Sequence, residues 1–247
     1  MAKVQEVGIR FGIVNNPIIF FDQSSGWFFV KDNTWFISFR VSGPRRMPIA
    51  SHCHQDFGAP VVFNKNQEIL IDIGRNSYLE KHKNEVFASS HSTFLINGKP
   101  TFLSERDFPI IPIINYKFKF KYYQLDGNFN IFIRYPISFL NKSNIQYALR
   151  MISFNSSKVI IKDRIKLIKS SEITSNFNFA YPLKGASIYF KSKIDESNFK
   201  KLIVDKYSDY LSPSSRSIDY NKIIKSLKFS KTEFVLKNYS SKLSIII

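Results

Sequence analysis

Apolar and polar residues alternate with a period of two along most of this chain, which restricts those stretches to strands with one buried face. In "TWFISFRV", Trp35, Ile37, Phe39 and Val41 share one face and Thr34, Phe36, Ser38 and Arg40 the other. "KFKFKYY" sets Phe118, Phe120 and Tyr122 against Lys117, Lys119 and Lys121, and "NFNIFIRY" aligns Phe129, Ile131, Ile133 and Tyr135. "KVIIKDRIKL" and "SNFNFAY" repeat the pattern. Turn residues fall between the runs: "QSSG" at 23–26, "NTW" after Asp32, "NKNQ" at 64–67, "NGKP" at 97–100, "LDGN" at 125–128 and "NSSK" at 155–158. The expectation is an all-β fold, a large antiparallel β-sandwich with few short helices. Helical readings are confined to 197–211, which also contains the strand-like "KKLIV", and to 219–228. "SPSSRS" at 212–217 reads as a loop. With 247 residues the chain has length for one sizeable core, so we expect a lead-in over 1–17 and one sandwich domain over 18–247.

The net charge is +17. Such a balance suits a polyanionic partner, and an AT-rich genome, which enriches Lys, Asn, Ile and Phe together, produces it equally well. The single cysteine, Cys53, excludes an internal disulfide. "MAKVQEVGIR" lacks the apolar run of a secretory signal, and no stretch approaches the ~18 apolar residues of a spanning helix. The expectation is a chain that, as written, stays in the cytoplasm, with no transmembrane segment. No P-loop, G-x-G-x-x-G, G-x-S-x-G or C-x-x-C is present. In "KFKFKYY" aromatics and lysines occupy opposite faces, the pattern of a half-buried strand and not of a base-stacking platform, so nucleic acid is not an expected partner.

Two of the four histidines lie in "SHCHQDFGAP". On a strand His52, His54 and Asp56 project together, a set able to ligate a transition metal or to run acid–base chemistry; a surface loop with incidental histidines is the competing reading. Asp72 sits inside the apolar run "ILIDIG", where a carboxylate is costly unless paired with a cation, or caps the turn at Gly74 and Asn76. His91 directly precedes the strand of "HSTFLING". His54, Asp72 and His91 together offer two imidazole nitrogens and one carboxylate oxygen, a zinc-type set with room for water.

These motifs resemble the C-terminal β-sandwich of the heparinase II/III-like polysaccharide lyases. The family's HxHxD segment, its D-x-G followed by Tyr, and its H-(N/S)-T ahead of a turn correspond to "HCHQD", "LIDIGRNSY" and "SHSTFLINGK". The lead-in "DQSSGWFFVKDNTWFISFRVSG" and the strand pair "ALRMISFNSSKVIIKDRI" are similar too. The resemblance is best over 18–105 and extends more weakly to 180.

The resemblance implies that His54, Asp72 and His91 hold a divalent metal, Zn2+ ahead of Mn2+ and Ca2+. It implies that His52 is the catalytic histidine facing a substrate carboxylate or moving a proton. Asp56 matches the motif's acid, which supports a histidine tautomer, or serves as a turn residue before Gly58. The implied reaction is β-elimination on an acidic, uronate-containing polysaccharide, bound between the sandwich and an N-terminal α/α toroid. That toroid, with its catalytic tyrosine, is missing from the sequence given, so a separate toroid chain is an expected partner and the chain alone an incomplete enzyme. Family members usually work in the bacterial periplasm or outside the cell. Ser92 stands where the family often has Asn. Tyr78 matches the sandwich's own tyrosine and is expected to be a packed aromatic, His82 to be solvated, and Cys53 to be a small core residue. The alternative function is a non-catalytic glycan-binding or cell-envelope polysaccharide assembly module; a split or truncated gene product is a third.

Overall fold

Alternating runs joined by tight turns become antiparallel hairpins when the turn matches the twist of the strands. "LDGN" meets that condition, since Asp126 and Gly127 both hold positive φ (50° and 69°), as a type I′ turn requires. A computed structural model of the chain describes residues 17–22, 25–41, 54–65, 67–74, 86–101, 119–137, 142–181, 185–194, 200–203, 211–219 and 222–247, with the backbone alone over 200–203, 211–219 and 222–225.

The strands are, in chain order, β1 (Ile18–Asp22), β2 (Trp27–Lys31), β3 (Trp35–Arg40), β4 (Val61–Asn64), β5 (Gln67–Leu70) and β6 (Phe94–Ile96). Then follow β7 (Lys119–Leu125), β8 (Asn128–Arg134), β9 (Ile145–Asn155), β10 (Lys158–Leu167) and β11 (Ser171–Ala180). The last are β12 (Ser187–Ile194), β13 (Lys200–Ile203), β14 (Leu211–Asp219), β15 (Lys222–Val235) and β16 (Asn238–Ile246). A nine-stranded sheet runs β1-β2-β3-β4-β5-β11-β15-β14, with β6 also pairing β11, and a seven-stranded sheet runs β13-β12-β16-β10-β9-β8-β7. The expected antiparallel sandwich is therefore the observed fold. Among the described residues there is no α-helix, and Ala88–Ser90 form a 3₁₀ turn.

The core lies between the sheets. The predicted inward set Trp35, Ile37, Phe39 and Val41 is buried, as are Phe129, Ile131, Ile133 and Tyr135. Each large apolar side chain so removed from water contributes about 1.5–3 kcal/mol. Polar groups also tie the sheets together: Trp35 Nε1–H donates to the Asn155 carbonyl at 2.6 Å, and Ser175 Oγ and Tyr239 Oη are hydrogen-bonded at 2.9 Å. Tyr122 departs from expectation, being 44% exposed. Its strand, β7, ends the sheet and has a neighbour on one side only.

Three expectations near the C-terminus need correction. Of the helix proposed over 219–228, Asp219 ends β14 and 222–228 open β15, which pairs with β14 from Lys222 and with β11 from Ser226; 220–221 lie outside the described residues. The loop proposed at 212–217 is β14, and Pro213 is tolerated there because β14 is an edge strand. In the stretch 197–211, Lys200–Ile203 pairs with β12, so its strand-like part prevails; 204–210 lie outside the described residues. In each case cross-strand pairing outweighs the local preference for helix or loop.

One edge of β11 is interrupted. β5 meets it at Phe179 (opposite Leu70) and β6 meets it at Ile173–Ser175. Across the gap, Asn178 N–H donates to Ser92 Oγ (3.0 Å) and Asn176 N–H to the Thr93 carbonyl (2.8 Å). The backbone stays satisfied, but by chain that has left one strand and not yet entered the next.

Candidate metal centre

That gap brings distant residues together. Asp72 sits where the chain leaves β5, and His91 where it arrives at β6. Ile71 N–H still donates to the Asn178 carbonyl at 3.0 Å, which holds the departing chain to β11. On the other side, Asn178 Nδ2–H donates to the Ser90 carbonyl and Lys228 Nζ–H to the Ser89 carbonyl, both at 2.8 Å. Asn178 alternates with the core residues Phe177 and Phe179 and pairs with Lys228, so the segment before His91 covers the outer face of the nine-stranded sheet.

His54 reaches the same place through its neighbour. The buried Gln55 donates its N–H to the Val86 carbonyl (2.8 Å), and its Oε1 accepts from Ala88 N–H (3.0 Å). This double clasp sets the His54 ring 5.4 Å from the His91 ring, centroid to centroid. One donor atom each from His54, Asp72 and His91 then lies within 4.8 Å of the others.

Both Asp72 oxygens are engaged. Oδ1 accepts from Gly74 N–H at 2.7 Å, the turn cap foreseen in the sequence, and Oδ2 lies 2.8 Å from His91 Nδ1. Burial works to raise the Asp72 pKa, but the His91 charge, its hydrogen bond, the Gly74 N–H and His54 outweigh it and hold the carboxyl at about 2. For His91 burial works downward, and the charge and hydrogen bond of Asp72 prevail, with the net effect upward. His54 moves down, from burial first and the His91 charge second. His91 is fully buried, with the Asp72 carboxylate and the Val86 backbone beside its ring. A buried imidazole beside a carboxylate and a second imidazole is a donor set that fits a divalent cation.

Asp56 lies elsewhere in the cluster. Its carboxylate is 3.7 Å from Arg40 Nη2, and the Arg40 guanidinium lies over the Phe57 ring at 4.5 Å. The carboxylate that hydrogen-bonds a histidine is Asp72, while the Asp56 charge raises the pKa of both His54 and His91 from a distance. His52, Cys53, Tyr78 and His82 lie outside the described residues.

Beneath the centre sits a group that the site reading of the sequence did not include. Arg150 of β9 is fully buried and makes a two-pronged pair with Asp163 of β10, Nε to Oδ1 at 2.7 Å and Nη2 to Oδ2 at 2.8 Å. Its Nη1–H donates to the carbonyls of Gly58 (2.8 Å) and Ser92 (2.7 Å). One guanidinium thus holds the His54 loop and the His91 segment against the opposite sheet. A signal for it existed. Arg150 and Asp163 interrupt the apolar faces of two strands and stand equally far from the "NSSK" turn, which makes them cross-strand partners.

Gly58 completes the support. Its φ is +66°, and a Cβ there would lie 2.8 Å from Tyr135 Cζ. Tyr135 cannot retreat easily, being packed edge-on against Phe94 at 4.8 Å, and burial pushes its hydroxyl up to about 12. Gly58→Ala should therefore lower stability by at least about 2 kcal/mol in urea unfolding. Unfolding indistinguishable from the parent would show that this contact is loose.

Fold and centre together define a class: a two-sheet antiparallel β-sandwich presenting a His–Asp–His donor cluster from an interruption in one sheet. The family described as Heparinase II/III-like, C-terminal, matches residues 15–188, and the chain belongs to it. Heparan sulfate lyase HepC from Pedobacter heparinus has a similar structure (TM-score 0.63, 13% identity), with 93% of this chain and 36% of that one covered. A protein described as the heparinase III BT4657 gene product is similar as well (TM-score 0.65, 13% identity), with 95% and 36% covered. At such identity the likeness concerns the fold, and this chain spans about a third of those proteins. No curated protein matches the chain in sequence. Among the described residues no helix is long and apolar enough to cross a membrane.

Proposed function

We propose that this chain is the metal-binding domain of a polysaccharide lyase that cleaves a uronate-containing glycan by β-elimination. The observation that carries the reading is the convergence of His54, Asp72 and His91, with one donor atom from each within 4.8 Å of the others. These residues would hold one divalent cation, zinc by the donor set, and the bound ion would supply a fixed positive charge that locks the His54 loop. His52, two residues away, is then the group assigned to the substrate carboxylate or to proton transfer. In the reaction a base takes the proton at C5, the C4–O bond breaks as the C4–C5 double bond forms, and an acid protonates the departing oxygen. Neutralising the carboxylate stabilises the enolate-like charge. The other wall of the cleft is assigned to a toroid domain or chain.

Elemental analysis of protein purified without chelator tests the centre: about one zinc per chain is expected, lost in His54→Ala. Folded parent protein that carries no metal, even after incubation with zinc, would remove the basis for the reading. Lyase action is tested on heparan sulfate by the ultraviolet absorbance of the unsaturated uronate. Turnover with a toroid partner that disappears in His52→Ala is expected. Binding without turnover in that setting would favour the alternative, a glycan-binding module.

A further inference from the structure

The seven-stranded sheet has an outer face of unusual composition. Asp163 is the sole acidic residue in β7–β10, β12, β13 and β16, and it points inward to Arg150. By contrast, the nine-stranded sheet carries Asp22, Glu68, Glu172, Asp219 and Glu233 in its strands. A lysine-rich composition alone does not segregate carboxylates in this way.

The lysines also face one another. Lys162 of β10 is directly opposite Lys242 of β16, and Lys242 is directly opposite Lys191 of β12. Lysine thus occupies three adjacent strands in a row, spaced by the ~4.8 Å separation of paired strands. Like charges placed opposite one another weaken a sheet. Burial, and then Lys162, Lys191 and Lys158, make Lys242 hold its proton less firmly than a free lysine. Among the described residues no carboxylate neutralises the row.

Next to it lies a depression of about 160 Å³ lined by Tyr147, Arg164, Lys193, Asn238 and Ser240. An aromatic ring, an amide and a hydroxyl beside two cations match the apolar face, hydroxyls and acidic group of one charged sugar. A single-stranded nucleic acid calls for successive aromatics along the basic track, and an anionic bilayer for apolar side chains that enter it. The row itself continues to Met151 of β9, without aromatics between its lysines.

We propose that this face is a docking track for a linear acidic polysaccharide, on the side of the sandwich opposite the candidate metal centre. The assignment to a glycan rests on the lyase-family reading above, whereas the site and its residues stand on the charge pattern alone. The track would hold a long chain while another part of it occupies the cleft.

The test is binding of heparan sulfate to the full chain by calorimetry at several salt concentrations, without turnover. Lys162→Gln, Lys191→Gln and Lys242→Gln combined should weaken binding about tenfold and flatten its salt dependence, because exposed charges act through screened attraction. Lys31→Gln, which removes an exposed lysine of β2 in the nine-stranded sheet, should bind as the parent does. The triple variant should melt no lower than the parent, since repulsion is relieved. Parental affinity in the triple variant would overturn the proposal, as would a loss of similar size in Lys31→Gln. Tighter binding of duplex DNA or phosphatidylserine vesicles than of heparan sulfate, through the same lysines, would overturn the glycan assignment. A chain that holds no zinc but binds heparan sulfate through these lysines would sink the lyase reading and leave the track standing.

Discussion

Arg150→Met is expected to cost about 3–5 kcal/mol of folding stability, because it strands Asp163 as an uncompensated buried charge. It also takes the donor away from the Gly58 and Ser92 carbonyls. Urea unfolding followed by fluorescence measures the first effect, and metal content of the surviving folded fraction the second. A double variant separates them. Arg150→Met with Asp163→Leu replaces the pair by apolar groups and should recover most of the stability. It should not recover metal affinity, since the two loops still lack their common anchor. A double variant that binds zinc as the parent does would show that Arg150 stabilises the fold without positioning the centre.

His91→Ala should reduce zinc affinity at least about 100-fold, removing the one ligand that is fully buried and already aligned by Asp72. The pH dependence has a definite sign. The depressed Asp72 contributes stability that is present above its ordinary value of 3.8 and lost as pH falls towards about 2. The raised His91 contributes stability that is full below 6.5 and lost as pH climbs through its higher folded value. Metal-free protein should therefore lose this pair's contribution on the alkaline side, while zinc, which competes with the proton on imidazole, should stabilise more as pH rises. Thermal midpoints with and without zinc should diverge above neutrality. Parallel curves across that range would mean that His91 is not a ligand.

What could be read from the sequence depended on how local the cause was. Alternation in "TWFISFRV" and "NFNIFIRY" is set by neighbours two residues apart, and both inward faces are buried as expected. The 219–228 helix was misread because Lys222 onward pairs with β14, itself read as a loop, and from Ser226 with β11, a strand remote in sequence. The His54, Asp72 and His91 trio was found through motif order, and the fold brings the three together. Gln55 and Asn178 were invisible. Their roles arise only where β5 and β6 share one edge of β11, which no single segment encodes.

β10 has a further consequence for assembly of the molecule. Its inward Asp163 is flanked by Lys162 and Arg164, which point the opposite way. A slip of one residue would turn Asp163 to solvent, press a cation into the core and leave Arg150 facing it. The hairpin of β9 and β10 therefore proofreads its own alignment: a form slipped by one residue carries repelling cations within an apolar layer and is disfavoured against the native pairing.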